Sequence, residues 1–435
     1  MMKKPFLTAL FLIFANSGFA QPLLTLQQAL HLGAQQNYEI RIAKTDERIA
    51  DTRNTLGNAG FLPTVSLVAG MNQSINNTRQ SFVNGLSIER DNAENTSHNV
   101  IVELNWTLFQ GFRRFARLQQ NELDSRLASL NREGISEAIT ALITGVYYDI
   151  VRQQQTIQVL NDAVELSNDR ISLAEGKFTI GTGSKLDVNQ ARIDLNNDRA
   201  ALLRQQVIFH EAKITLNRLL GRDAHIQYAV QDSIPVNRAL DLEELQQTAL
   251  EKNIGLQRAG LSLAKANQLI RQEKSSRYPV VTFNADYSYF RSQSDAGFLQ
   301  TNRNRGYTVG IGLNMTLFDG FNNHNRIQVA KLQATNQDLL MQKEKVDLFA
   351  ELQSTHKRYR NSLMLADIES TSVALARENM NIALERYRLG SITSLELRDI
   401  QNKFIQAQAR LISAHYEAKL AETDLLLQSN ELSDK

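Results

Sequence analysis

Two hydrophobic periodicities organise this chain. Around residue 100, apolar and polar positions alternate. Val100, Val102, Leu104, Trp106 and Leu108 fall on one face, and Glu103, Asn105 and Thr107 on the other. Alternation of period two predicts a strand with unlike faces. The pattern returns as Tyr307, Val309, Ile311, Leu313, Met315 and Leu317 against Thr308, Gly310, Gly312, Asn314 and Thr316. Weaker partner strands precede each: Val65, Leu67, Ala69, Met71, and Val281, Phe283, Ala285, Tyr287, Tyr289. The four strands are expected over about 62–72, 99–109, 279–290 and 306–318, joined by polar connections from Gln73 to Ser97 and from Arg291 to Arg305.

The second periodicity is helical. From Phe112 to Phe178 there is no proline, and Ile143, Ile150, Ile157, Val164, Ile171 and Phe178 recur every seven residues, flanked by Ile139, Val146 and Leu160. Leu352, Tyr359, Ala366, Val373, Met380 and Tyr387 do the same later. A sustained seven-residue repeat is a coiled-coil seam. Helices are therefore expected over 112–178 and 321–388. At 1.5 Å per residue each is about 100 Å long, too long for one globular core. Shorter helical patterns run from Thr25 to about Gly57, 184–220 (closed by Gly221), 242–275 and 393–427.

These elements are a duplication. Asn105-Trp-Thr-Leu-Phe-Gln-Gly-Phe112 returns as Asn314-Met-Thr-Leu-Phe-Asp-Gly-Phe321, and Lys177–Val188 aligns with Arg386–Leu397, both 209 positions apart. Pro63 and Pro279 mark matching helix-to-strand junctions, and Pro235 falls between the halves. Each half reads helix, strand, strand, long helix, turn, helix. The boundaries are 21–221 and 241–428, with a connection over 222–240 and a tail over 429–435.

Four strands cannot close a transmembrane barrel, which needs about eight. Taken alone, the strands fit a soluble hairpin with one buried face better. The rod-length helices favour the membrane reading, in which copies must associate because lipid forbids an open sheet edge.

Composition narrows the class. Lys3 and Lys4, the apolar run Phe6–Phe14 and Gly18-Phe19-Ala20 read as a secretory leader over 1–20. The run is short for a transmembrane anchor, the alternative reading. Removing the leader takes two lysines and no acid, leaving 46 basic against 46 acidic residues. That balance argues against nucleic acid, which needs a basic surface. There is no cysteine, so neither a disulfide nor a thiol-linked lipid is expected. The seven histidines are scattered, and Gly310-x-Gly312 lies within a strand and opens no helix. No enzyme, cofactor or metal site is expected.

With the duplication, strands and paired turns in place, the chain resembles the TolC-like outer-membrane efflux family over essentially its whole length after the leader. The resemblance implies a mainly α protein with a membrane β-barrel: a homotrimer whose twelve strands close in the outer membrane and whose long helices form a periplasmic tunnel. The implied partners are outer-membrane lipid, a periplasmic adaptor and an inner-membrane pump of the RND, ABC or MFS type. The implied function is passive export of drugs or other small toxic solutes. The outlet of a type I protein secretion system is an alternative, and a periplasmic coiled-coil scaffold or adhesion protein is one from another class.

By position the resemblance also assigns a periplasmic constriction to Tyr387, Glu396 and Asp399, and Asp187 in the duplicate turn is a further candidate for it. Adaptor docking falls to the turns, at Gly181, Thr182, Gly183, Ser184, Gly390, Ser391 and Thr393. A family member's gate arginine is replaced here by Ile392, so other contacts are expected to hold any closed state. Ser184-x-x-Asp187 and Thr393-x-x-Glu396 also match capping boxes, and capping alone would account for both acids. A solvated outer face would account for Asp399.

Overall fold

The computed structural model describes residues 22–297 and 299–432; the expected leader and the last three residues of the tail lie outside this range. The elements run α1 Leu26–Gln36, α2 Tyr38–Arg53, β1 Thr64–Ser81, β2 Ser87–Gln110, α3 Arg113–Thr179, α4 Lys185–Leu219, α5 Leu242–Lys252, α6 Ile254–Ser275, β3 Val280–Ser294, β4 Thr301–Asn314, α7 Asn322–Arg388 and α8 Ser394–Ser429. The protein is thus mainly helical with one four-stranded antiparallel sheet, in the order β1-β2-β3-β4. Both α3 and α7 are 67 residues long.

Three features depart from the hydrophobic pattern. The first concerns the segments 25–57 and 242–275, which are not single helices. Each breaks at an asparagine, Asn37 and Asn253, whose backbone leaves the helical region. The Asn37 side chain donates to the Leu219 carbonyl (2.8 Å), and that of Asn253 to the Gln428 carbonyl (2.9 Å). Each break thereby satisfies an orphan carbonyl at the end of another helix. Because a helix-breaking asparagine has no apolar signature, the pattern reads straight through it.

The second is strand length. Most of the polar stretch 73–97 belongs to β1 and β2, with a register shift between Asn76 and Thr78. Ladder pairing requires backbone N–H and C=O groups, which polar residues supply as well as apolar ones. At the other end, β4 stops at Asn314, short of the expected 318, because its partner β3 begins opposite at Val280.

The third is the first seam. Leu352, Tyr359, Ala366, Met380 and Tyr387 of α7 are buried. On α3, Ile143 and Ile150 are buried, but Ile157, Val164 and Ile171 are half-buried and Phe178 is exposed. The buried line there passes through Val159, Ala163, Ser167, Arg170 and Ala174. A heptad stripe drifts about 20° per repeat on a straight helix, and here a different row of α3 faces the interior.

The chain forms two compact units. One comprises residues up to Tyr38, Ala138–Leu240 and Ser354–Leu427; the other comprises Glu39–Glu137, Asp241–Gln353 and the residues from Gln428 on. In the first, the connecting segment 222–240 is strapped onto helices. Leu24 N–H donates to Ala229 O (2.9 Å), the Tyr147 hydroxyl to Leu24 O (3.0 Å), and the Tyr228 hydroxyl to Lys213 O (3.0 Å). In the second, α2, α3 and α6 meet through polar contacts: Ser125 to Asp51 (2.5 Å), Arg132 to Glu47 (2.8 Å) and Lys265 to Asp124 (2.5 Å).

Candidate functional site

Two turns joining the long helices to α4 and α8 repeat the same pair of closing backbone hydrogen bonds. After α3, Thr182 N–H donates to Lys177 O (2.9 Å) and Gly181 N–H to Phe178 O (3.1 Å). After α7, Ser391 N–H donates to Arg386 O (2.8 Å) and Gly390 N–H to Tyr387 O (3.1 Å). These are Schellman closures, which need a left-handed residue; Gly181 has φ 79° and Gly390 φ 76°. The next helices open with capping boxes. Asp187 N–H donates to Ser184 Oγ (3.1 Å) and Ser184 N–H to Asp187 Oδ2 (3.2 Å). Glu396 N–H donates to Thr393 Oγ1 (3.2 Å) and Thr393 N–H to Glu396 Oε2 (2.7 Å). The hydrogen bond from Thr393 N–H holds the Glu396 carboxyl below its ordinary value.

The side chains around the two turns diverge. Tyr387 is buried with Met380, Ala383 and Leu397, and Ile392 packs on this cluster. Lys177 donates to the Tyr387 carbonyl, with its ammonium 3.9 Å from the Tyr387 ring centroid. Phe178, the counterpart of Tyr387, is exposed. Gly183, the counterpart of Ile392, is required by space: a Cβ there would lie 2.9 Å from Lys177 Cβ. Asp399 is exposed and pairs with Lys403 (2.7 Å), one turn along α8. Of the four residues expected to form a constriction, Asp187 and Glu396 are engaged in caps, Tyr387 is core, and Asp399 alone presents an exposed carboxylate beyond the first helical turn. The turn residues Gly181, Thr182, Gly390, Ser391 and Thr393 are exposed, and Gly183 and Ser184 are partly covered or exposed beside them.

Next to these turns lies a buried polar network that the sequence did not announce. Arg170 of α3, with its side chain 2% exposed, pairs with Asp194 of α4 (3.2 Å). It also donates to Gln401 Oε1 (3.2 Å) and Ser394 Oγ (3.3 Å) of α8. Arg398 of α8 grips both oxygens of Asp198 at 2.8 Å. Ser167 donates to the same carboxylate (2.5 Å), and Gln401 Nε2 to Ser167 Oγ (3.2 Å). Burial works to lower the Arg170 pKa, opposed by Asp194. At Arg398 burial also opposes the charge, but hydrogen bonding and attraction from Asp198, with Asp194, prevail and raise its pKa. The network has no counterpart in the duplicate: 209 residues from Arg398, Asp194 and Asp198 stand Asn189, Lys403 and Ala407. The available sequence clue was Asp194 and Asp198 spaced four apart among the apolar positions Ala191 and Leu195, an unusual place for two acids.

The sheet has its own geometry. Across its four strands the register aligns Val65, Leu104, Ala285 and Val309 in one row and Leu67, Val102, Tyr287 and Tyr307 in the next. Trp106, Phe283 and Ile311 form a row below. The opposite face carries Ser66, Glu103, Asp286 and Thr308 in one row, and Asn105, Asn284 and Gly310 in another. Val65, Leu67, Tyr287, Tyr307, Val309, Ile311 and Leu313 are exposed. An apolar face this bare, backed by a polar one, is the pattern of a lipid-facing barrel wall. Among the described residues no helix is long and apolar enough to cross a membrane.

A sheet of this kind joined to rod-length duplicated helices defines an outer-membrane channel, with the strands in the membrane and the helices in the periplasm. The chain belongs to the outer membrane efflux protein family, whose profile matches residues 28–222 and 245–429. Efflux protein BepC of Brucella suis is 25% identical over 178 residues, which are 41% of this chain and 37% of BepC; the match thus spans about a third of that relative's length. Protein CyaE of Bordetella pertussis is 22% identical over 412 residues, 94% of this chain and 84% of CyaE. The CmeC outer membrane channel of Campylobacter jejuni shares the fold, with a TM-score of 0.78 at 13% identity over 93% of this chain and 85% of that one. The protein is therefore a passive channel for efflux or secretion and not an enzyme.

Proposed function

We propose that three copies close a twelve-stranded barrel and act as the outer-membrane duct of a tripartite efflux system for drugs or other small toxic solutes. The observation that carries this is the sheet's open order, β1-β2-β3-β4. Both outer strands, β1 and β4, present an unpaired edge beside an apolar face, and an unpaired edge is not tolerated in lipid. Pairing β4 of one copy with β1 of the next removes every edge, and three copies give twelve strands. A periplasmic adaptor docks at the Schellman turns, and an inner-membrane pump of the RND, ABC or MFS type supplies the solute.

In this reading Asp399, repeated three times, makes the acidic ring of the constriction, since acidic rings favour cations. The Arg170–Asp194 and Arg398–Asp198 pairs hold α3, α4 and α8 together in the place of the arginine absent at Ile392. Extraction as an SDS-resistant trimer that conducts in planar bilayers tests the assembly. Drug susceptibility and the secreted proteome of a deletion strain test the cargo: sensitisation with an unchanged secretome supports efflux, whereas loss of one secreted protein without sensitisation assigns the duct to type I secretion. Asp399→Asn with unaltered cation selectivity would remove Asp399 from the constriction.

A further inference from the structure

The apolar face of the sheet ends abruptly at the margin farthest from the strand-to-helix junctions. Above the row Leu67, Val102, Tyr287, Tyr307 comes Ala69, Val100, Tyr289, Arg305, and above that Met71, His98, Arg291, Arg303. No register shift intervenes on these strands, so Arg291, Arg303, Arg305 and His98 share the face of Val102, Tyr287 and Val309. From Val281 to Tyr289 the apolar band runs about 26 Å along β3, which matches the ~25 Å apolar belt of an outer-membrane barrel. With the helices in the periplasm, this margin is the outer-leaflet surface. Tyr287, Tyr289 and Tyr307 form an aromatic girdle just below it.

The arginines are placed at a cost. Arg291 and Arg303 stand directly opposite each other on neighbouring strands, a like-charge pairing that destabilises a sheet. Arg305 follows two residues along on the same face, and His98 flanks Arg291 from β2. None of the three arginines has an ion-pair or hydrogen-bond partner among the described residues, although Arg79 of the neighbouring β1–β2 hairpin finds Glu89 at 3.2 Å. Arg303 and Arg305 are exposed. The row beyond is uncharged: Gln73, Thr96, Gln293, Thr301. Guanidinium groups suit bidentate contact with phosphate, and an anion set between Arg291 and Arg303 would turn their repulsion into attraction.

We infer that Arg291, Arg303 and Arg305 form a binding site on the outer wall of the barrel for the phosphorylated headgroup of an outer-leaflet glycolipid, with the tyrosine girdle receiving the upper part of its acyl chains. This rests on the barrel reading above. The experiment uses the full-length assembly in phosphatidylcholine nanodiscs doped with bisphosphorylated lipid A, and counts bound lipid by native mass spectrometry. The wild type should retain lipid A, while Arg291→Gln/Arg303→Gln/Arg305→Gln should bind it roughly tenfold or more weakly, the scale of losing charge-assisted hydrogen bonds. Dephosphorylated lipid A and inorganic phosphate should bind the wild type poorly, and Arg79→Gln should bind lipid A as the wild type does. Equal retention of lipid A by the triple variant, or of its dephosphorylated form by the wild type, overturns the site. Tight binding of inorganic phosphate alone makes it an anion site without a lipid partner. Should the triple variant fail to assemble, Arg303→Gln/Arg305→Gln, altering only exposed side chains, gives the same readout. Trimer mass and conductance, measured on the same samples, report on the barrel reading separately.

Discussion

The two helix-to-helix turns share the backbone hydrogen bonds of a Schellman closure, the first adding one from Gly183 N–H to Lys177 O (3.0 Å), yet they pack differently. At Lys177–Val188 a left-handed glycine, a Ser184–Asp187 box and a tight Gly183 make the turn, and its core is small, with Val188 buried beside Ala174 and Ala191. At Arg386–Leu397 the same local chemistry is tied into a core through Tyr387, Ile392 and Leu397. Close by, Arg398 and Gln401 extend that attachment into the buried network with α3 and α4. Duplication copied the part of the turn that a dozen residues encode by themselves. What differs is what each copy packs against: a small cluster of Ala174, Val188 and Ala191 at the first, and the Tyr387 and Leu397 cluster at the second, while Arg170, Asp194 and Asp198 flank the first turn and reach α8 through Arg398 and Gln401. A sequence repeat is therefore evidence for repeated local structure and much weaker evidence for repeated function.

The network offers the largest effect with which to break this comparison. Arg170→Ala leaves Asp194 buried without its main partner and should cost about 3–5 kcal/mol, the usual penalty for stripping one member of a buried pair. Loss of protection in α4 and α8 by hydrogen exchange is the measurement. Asn379→Ala, at the duplicate position of Arg170, should leave protection unchanged. A small effect at Arg170 would mean that α3, α4 and α8 are held together beside the turns by apolar packing alone.

Next come the equivalent aromatics. Tyr387→Ala empties a core position and should cost about 3 kcal/mol or more, whereas Phe178→Ala, at an exposed site, should fall within about 0.5 kcal/mol. Urea titration of the detergent-solubilised protein reads both. Similar costs would show that Phe178 is buried in the assembly and that the turns are more alike than the single chain suggests.

The caps should behave as equals. Ser184→Ala and Thr393→Ala should each cost about 1 kcal/mol, seen as fraying of the first turn of α4 or α8 and nowhere else. A large asymmetry would mean that one box has a second role, such as contact with the adaptor.

The smallest effect is a pH dependence. Glu396 is held below its ordinary pKa by the Thr393 N–H, so its cap is favoured while the carboxyl is ionised. That contribution is present at pH values above the ordinary carboxylate range and is lost as pH falls through the lowered folded value. Exchange at the start of α8 should rise in acid, and Glu396→Gln should abolish that rise. An unchanged acid response in Glu396→Gln would place the sensitivity elsewhere.

Some of this was legible from the chain alone. The strand alternation, the 209-residue repeat, the paired glycines and the capping boxes are local or periodic, and backbone geometry alone imposes them. They fixed the order of the elements and the form of the turns. The seam of α7 was legible for the same reason. The seam of α3 was not, because beyond Ile150 the row facing the interior includes Ser167 and Arg170, and polar residues leave no mark on a hydrophobic pattern. The breaks at Asn37 and Asn253 were hidden likewise, since each gains its hydrogen bond from a helix end about 180 residues away in sequence.

Only the tertiary structure decided which charges pair. It buried Tyr387 and assembled Arg170, Asp194, Asp198 and Arg398 from three helices. It also set Arg291 opposite Arg303 through strand register. Sequence determines what each residue can do within its own turn or strand; its charged partners lie across helices and strands, where burial and register choose them.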